Sequence, residues 1–68
     1  MLRTNVSSSN IRSIGFENGT LEVQFTSGEI YQYFNVPESV HRGLMLAASH
    51  GQYFDSNIKK AGYSYRKI

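Results

Sequence analysis

Asn18-Gly19 stands between two segments, residues 11–16 (IRSIGF) and 20–25 (TLEVQF), in which apolar and polar residues alternate. Alternation marks a half-buried strand, and Asn-Gly supplies the positive φ values of a two-residue type I′ turn. In that turn Phe16 faces Leu21 and Ile14 faces Val23. Ile14, Phe16, Leu21, Val23 and Phe25 then share one face, the side of the sheet that a core must cover. A chain of 68 residues supports one domain over residues 1–68, and its core is thin because a domain of this size buries only about 60% of its unfolded surface. With no cysteine, disulfide staples, thiolate nucleophiles and sulfur-ligated zinc are excluded. Stability must come from packing or self-association.

The connection at residues 26–28 (TSG) sets how the third strand faces, since a one-residue change in loop length turns every side chain over. If Ser27-Gly28 forms a two-residue loop, Ile30, Gln32 and Phe34 face the core, which places a glutamine amide among apolar groups. If residues 26–28 form a type I turn closed by Gly28 at positive φ, Tyr31 faces Val23 and Tyr33 faces Leu21. The second register is favoured because it uses the glycine where positive φ is needed and makes aromatic to β-branched pairs. It predicts buried tyrosine rings with hydroxyls near the rim. Ile30 and Phe34 then lie on the opposite face, where a partner or a second copy could cover them.

Val36-Pro37 predicts a helix start, with Val36 held out of the α region and Pro37 at the first helical position. Glu38 complements the helix dipole. Val40, Gly43, Leu44 and Ala47 recur at helical spacing, with Gly43 allowing close approach to the sheet, and Gly51 caps the end. The pattern predicts a main helix over residues 37–50. A short helix capped by Asp55 or Ser56 and ended by Gly62 follows. Residues 62–68 (GYSYRKI) alternate again as a final strand, with Tyr63, Tyr65 and Lys67 on one side. The expected fold is α+β: a small antiparallel sheet, made of a three-strand meander and a C-terminal strand, packed against one main and one short helix. Residues 1–8 are expected to be a flexible start.

The ordered set Ser-Asn-Ile (9–11), Ile-Gly-Phe (14–16), Tyr31-Gln32-Tyr33, Val36-Pro37 and Gly-x-Tyr-Phe (51–54) resembles the KTSC domain, a small bacterial and phage domain named after the C-terminal region of some lysyl-tRNA synthetases. The resemblance covers nearly the whole chain. It implies an RNA-binding role suggested by association with a tRNA-charging enzyme, in a family with no established function. It marks Tyr31, Tyr33, Val36 and Pro37 as a motif whose role here is expected to be structural.

Enzyme chemistry finds little footing. His41 and His50, nine residues apart on one expected helix, point about 180° apart at about 100° per residue and cannot share a metal within one chain. No nucleophile elbow, phosphate loop or zinc spacing occurs. Glu22 and Glu29 oppose one another in neither register. The expectation is therefore no catalytic residue, no metal and no cofactor.

The net charge of +2, from seven Lys+Arg and five Asp+Glu, is too weak for a general polyanion binder, but it is uneven. Residues 56–68 carry Lys59, Lys60, Arg66 and Lys67 and no acid. With Tyr63 and Tyr65 they form an aromatic and basic set of the kind that stacks bases and follows a phosphate backbone, a set that Tyr31 and Tyr33 would join if their strand adjoins the last one. The plain alternative is that these tyrosines pack and these lysines solubilise. A third reading is a protein-interaction or self-associating module using Ile30 and Phe34, or Met45 and Leu46 on the helix flank. The N-terminal residues lack a signal-peptide core and residues 44–48 (LMLAA) are too few to cross a bilayer. A soluble, cytoplasmic binding module is expected, with RNA or single-stranded nucleic acid as first partner and a protein as second.

Overall fold

The structure, a computed structural model covering residues 1–68, places five strands in one antiparallel meander: β1 (Arg3–Asn5), β2 (Ile11–Glu17), β3 (Thr20–Phe25), β4 (Ile30–Tyr33) and β5 (Tyr65–Lys67). Helices α1 (Glu38–Leu46) and α2 (His50–Asn57), followed by a 3₁₀ turn over Lys59–Ala61, cross from β4 to β5 and cover one face. This is the α+β class that the sequence predicts.

Asn18 and Gly19 take φ of 52° and 81°, and the hairpin pairs Phe16 with Leu21 and Ile14 with Val23. Gly28 has φ of 100°, its N–H donates to the Phe25 carbonyl at 2.9 Å, and β4 pairs Tyr31 with Val23 and Tyr33 with Leu21. The register with both tyrosines toward the core is the one adopted. Ile11, Ile14, Leu21, Val23, Leu44 and Ile58 are each at most 1% exposed and form the centre of the core. A register shift between Ile11 and Ser13 turns Ile11 inward to pair with Phe25, leaving Arg12 outside.

Four expectations are corrected. The start of the chain is not simply flexible: Arg3–Asn5 pairs with β2 as an edge strand. Its anchor is the Arg3 guanidinium, which donates to the Glu22 carboxylate at 2.6 Å on the face away from the helices. Gln32 donates to the other oxygen of Glu22 at 2.8 Å, so a carboxylate only 6% exposed is fully engaged.

The helix predicted over residues 37–50 is shorter and later in starting. Pro37 is its N-cap at ψ 149°, and Ala47 leaves the helix at ψ 142°. Ser49 then caps α2, accepting from the Gln52 N–H at 3.2 Å, which puts Gly51, Asp55 and Ser56 inside α2 rather than at helix ends. Gly62, at φ of 89°, does close the 3₁₀ turn. Gly43 allows a close approach by α2 rather than by the sheet, since a Cβ there would collide with the Tyr53 hydroxyl.

Candidate functional site

Because β5 pairs with β4, Tyr65 lies opposite Tyr33 and Lys67 opposite Tyr31, all on the helix-covered face. The helices cover the central strands and leave this edge open. Three tyrosine rings therefore form a graded cluster: Tyr33 is 6% exposed, Tyr31 half-buried and Tyr65 61% exposed. Ring centroids are 5.4 Å apart for Tyr33–Tyr65, 6.0 Å for Tyr31–Tyr65 and 6.5 Å for Tyr31–Tyr33. Phe54 from α2 meets Tyr33 edge-on at 5.4 Å, and Phe25 meets both Phe54 and Tyr31 in the same manner. Edge-to-face contacts of this kind hold ring planes in place beyond what area burial alone does.

Between this cluster and the end of α2 opens a cleft of about 640 Å³, bordered by Tyr31, Tyr33, Tyr65, Phe54 and Lys59. Burial, then the neighbouring Tyr65 and Tyr31, push the Tyr33 phenol above the usual tyrosine range. It stays neutral and able to donate. The Lys67 ammonium donates to Glu29 at 3.0 Å, and that hydrogen bond raises its pKa, so it is charged throughout the neutral range. Lys60 pairs with Asp55 at 3.2 Å. Both pairs are solvent-exposed and screened by water and salt, so a ligand can compete for either lysine. Lys59 stands on the cleft without an ion-pair partner.

The structure thus divides the aromatic and basic set that the sequence singles out. Lys59, Tyr65 and Lys67 meet on one face beside Tyr31 and Tyr33. Arg66 pairs with Gln32 in register and lies on the opposite face, Lys60 turns to Asp55, and Tyr63 packs against the core before the strand begins. Phe25 and Phe54, which build the floor of the cleft, carry no site role in the sequence reading. Only the tertiary contact between α2 and the sheet reveals that role. Ile30 and Phe34 lie away from the cluster and are both half-buried, whereas Leu46 is 79% exposed.

The histidines sit on separate helices, which replaces the one-helix geometry predicted for them. His41 stacks on Phe16 with centroids 4.7 Å apart, and burial holds it below the ordinary histidine range. His50 places Nδ1 2.8 Å from the Leu44 carbonyl, which also accepts the Ala47 N–H at the end of α1. Glu22 lies opposite Gln32, apart from Glu29, as both registers require. No helix is long and apolar enough to cross a membrane.

The KTSC domain model matches residues 7–63. An uncharacterized protein of Stutzerimonas stutzeri is 40% identical over 70 residues, which take in all of this chain and 99% of that one. Lysine–tRNA ligases of Nostoc punctiforme and a Nostoc species are 50% and 52% identical over 40 residues, 59% of this chain but only 7% of each ligase. A crystal structure of a KTSC domain protein from Yersinia pestis superposes with a TM-score of 0.92 at 46% identity, covering 98% of this chain and 96% of that one.

Proposed function

This chain belongs to the KTSC domain family, and from that premise we propose that it is a small non-catalytic module that binds single-stranded nucleic acid, RNA first, on the tyrosine cleft. The observation that carries the reading is the gradient of three tyrosine rings beside an unpaired lysine. A base stacked on an exposed ring gains about 1–3 kcal/mol, and an exposed ring held in place by buried neighbours loses little entropy on receiving it. The similarity to a short segment of enzymes named for tRNA supports RNA as the ligand. The cleft is bordered by phenols, the Lys59 ammonium, the Thr26 and Ser27 hydroxyls and the Glu29 carboxylate, which is paired with Lys67; no base is hydrogen-bonded to a hydroxyl nucleophile among them, which favours binding over catalysis. The proposed setting is the cytoplasm.

Two cations, Lys59 and Lys67, flank the rings. Two phosphate contacts give a log–log salt slope of about −1.4 for a single strand, so the binding is weak and only moderately salt-dependent. Fluorescence anisotropy with labelled single-stranded RNA, single-stranded DNA and duplexes at two salt concentrations tests this. Single strands bind better than duplexes, Tyr65→Ser weakens binding at least about fivefold, and Lys59→Gln lowers the salt slope by about 0.7. Binding that is indifferent to Tyr65→Ser, or absent at low salt, removes the proposal and turns the search to protein partners.

A further inference from the structure

A second cleft, of about 820 Å³, lies on the other side of Phe25 and Phe54, between residues 7–10 and the start of α2. Asn10, Phe25, Phe54 and Lys59 border both clefts, so the two meet as one groove with Lys59 at the junction. Its two ends differ in chemistry. One is walled by tyrosine rings, the other by Ser8, Ser49 and His50.

The hydrogen bonds already made at the second end decide what it has left to offer. Ser8 Oγ accepts from the Asn10 and Ile11 N–H groups at 3.2 Å, and Ser49 Oγ accepts from Gln52 N–H at 3.2 Å. Each hydroxyl keeps its own proton to donate. His50 Nδ1 faces a carbonyl, which can only accept, so Nδ1 carries the proton and the neutral ring presents Nε2 as an acceptor. Donors and an acceptor together match a sugar hydroxyl, which is itself both donor and acceptor. Asp55 borders this end and pairs with Lys60, and Glu29 borders the tyrosine end and pairs with Lys67, so Lys59 is the cation between the two halves that has no ion-pair partner and is open to a phosphate.

Resting on the nucleic-acid reading above, we infer that the groove takes a ribonucleotide segment in one orientation and reads its sugar. A base stacks on Tyr65 and Tyr31, its phosphate lies at Lys59, and the 2′-hydroxyl of the adjoining ribose is met by Ser8, Ser49 and His50. The tyrosine half accepts RNA and DNA alike, and the hydroxyl-rich half prefers RNA.

The test is an NMR titration of the isotope-labelled full chain with a uridine tetranucleotide and with its 2′-deoxyuridine counterpart. The ribo-oligonucleotide shifts amide signals of Tyr31 and Tyr65 together with those of Ser49 and His50, and binds about five- to tenfold more tightly. The deoxy-oligonucleotide shifts the tyrosine half alone. Lys59→Gln, an exposed change without effect on packing, weakens both. Equal affinity and identical shift maps for the two probes overturn the sugar reading while leaving the tyrosine cleft standing. No shift with either probe, or shifts confined to the Arg66 and Gln32 face, overturns both.

Discussion

Alanine at position 28 would force an L residue to hold φ of 100°, in open space with nothing within 4 Å of its Cβ. Any loss of stability therefore comes from the backbone and not from a clash. Left-handed conformations cost about 1–2 kcal/mol for a residue with a Cβ, and the smaller conformational entropy of the unfolded alanine chain offsets about 0.4–1 kcal/mol of that. The net loss is about 1 kcal/mol. A chain of this length has only about 3–10 kcal/mol of stability in total, and about 1 kcal/mol lowers Tm by roughly 4–8 °C. Thermal unfolding followed by circular dichroism should show that shift for Gly28→Ala. Gly28→Asn, which tolerates positive φ, should lose clearly less. Ser27→Ala at an exposed neighbouring position should change little. The turn is what aims Tyr31 and Tyr33 inward, since Gly28 N–H to Phe25 and Phe25 N–H to Glu29, each 2.9 Å, close it. An unchanged Tm for Gly28→Ala, or an asparagine variant as damaged as the alanine one, would refute the argument from backbone conformation.

Glu22→Ala removes the acceptor shared by Arg3 and Gln32; a loss of about 1–3 kcal/mol follows, with faster amide hydrogen exchange in β1 than elsewhere in the sheet. Unchanged β1 exchange would show that the ion pair does not anchor that strand. Gly43→Ala should lose about 1–3 kcal/mol in denaturant unfolding because its Cβ meets the Tyr53 ring, and Tyr53→Leu in the same chain should recover part of the loss. Purely additive effects would place the strain elsewhere. His41 is held below its ordinary pKa chiefly by burial, against the pull of Glu38 and with help from Arg42. The unfolded chain then binds the proton more readily, so this contribution to stability is fully present above about pH 6.5 and is lost as pH falls through the folded pKa. The difference in stability between wild type and His41→Phe should narrow or reverse on acidification across that range, and a difference constant with pH would contradict it.

Where local chemistry sets local geometry, the residues were sufficient. Asn18-Gly19 and Gly28 define the turns of the meander, and with them which face Tyr31 and Tyr33 occupy. Gly62 marks the end of the 3₁₀ turn that follows α2, and Val36-Pro37 marks the start of α1 to within one residue. The break at Ala47 was not legible, because residues 44–48 are good helix formers and a serine cap is one weak signal among several. That break is settled by packing, with Phe54 and Ile58 drawn into the core and Tyr53 laid on Gly43.

The candidate site divides along the same line. Alternation placed Tyr65 and Lys67 on one side of the last strand and Arg66 on the other, but it could not say that this strand would pair beside Tyr31 and Tyr33. Nor could it bring Lys59, Phe25 and Phe54 to the same cleft, or carry Arg3 across to Glu22. By itself the sequence determined the turns and the alternation of faces, which depend on φ preferences and on neighbours a few residues away. The tertiary structure alone decided which faces meet, because that depends on burying apolar surface between segments far apart in the chain.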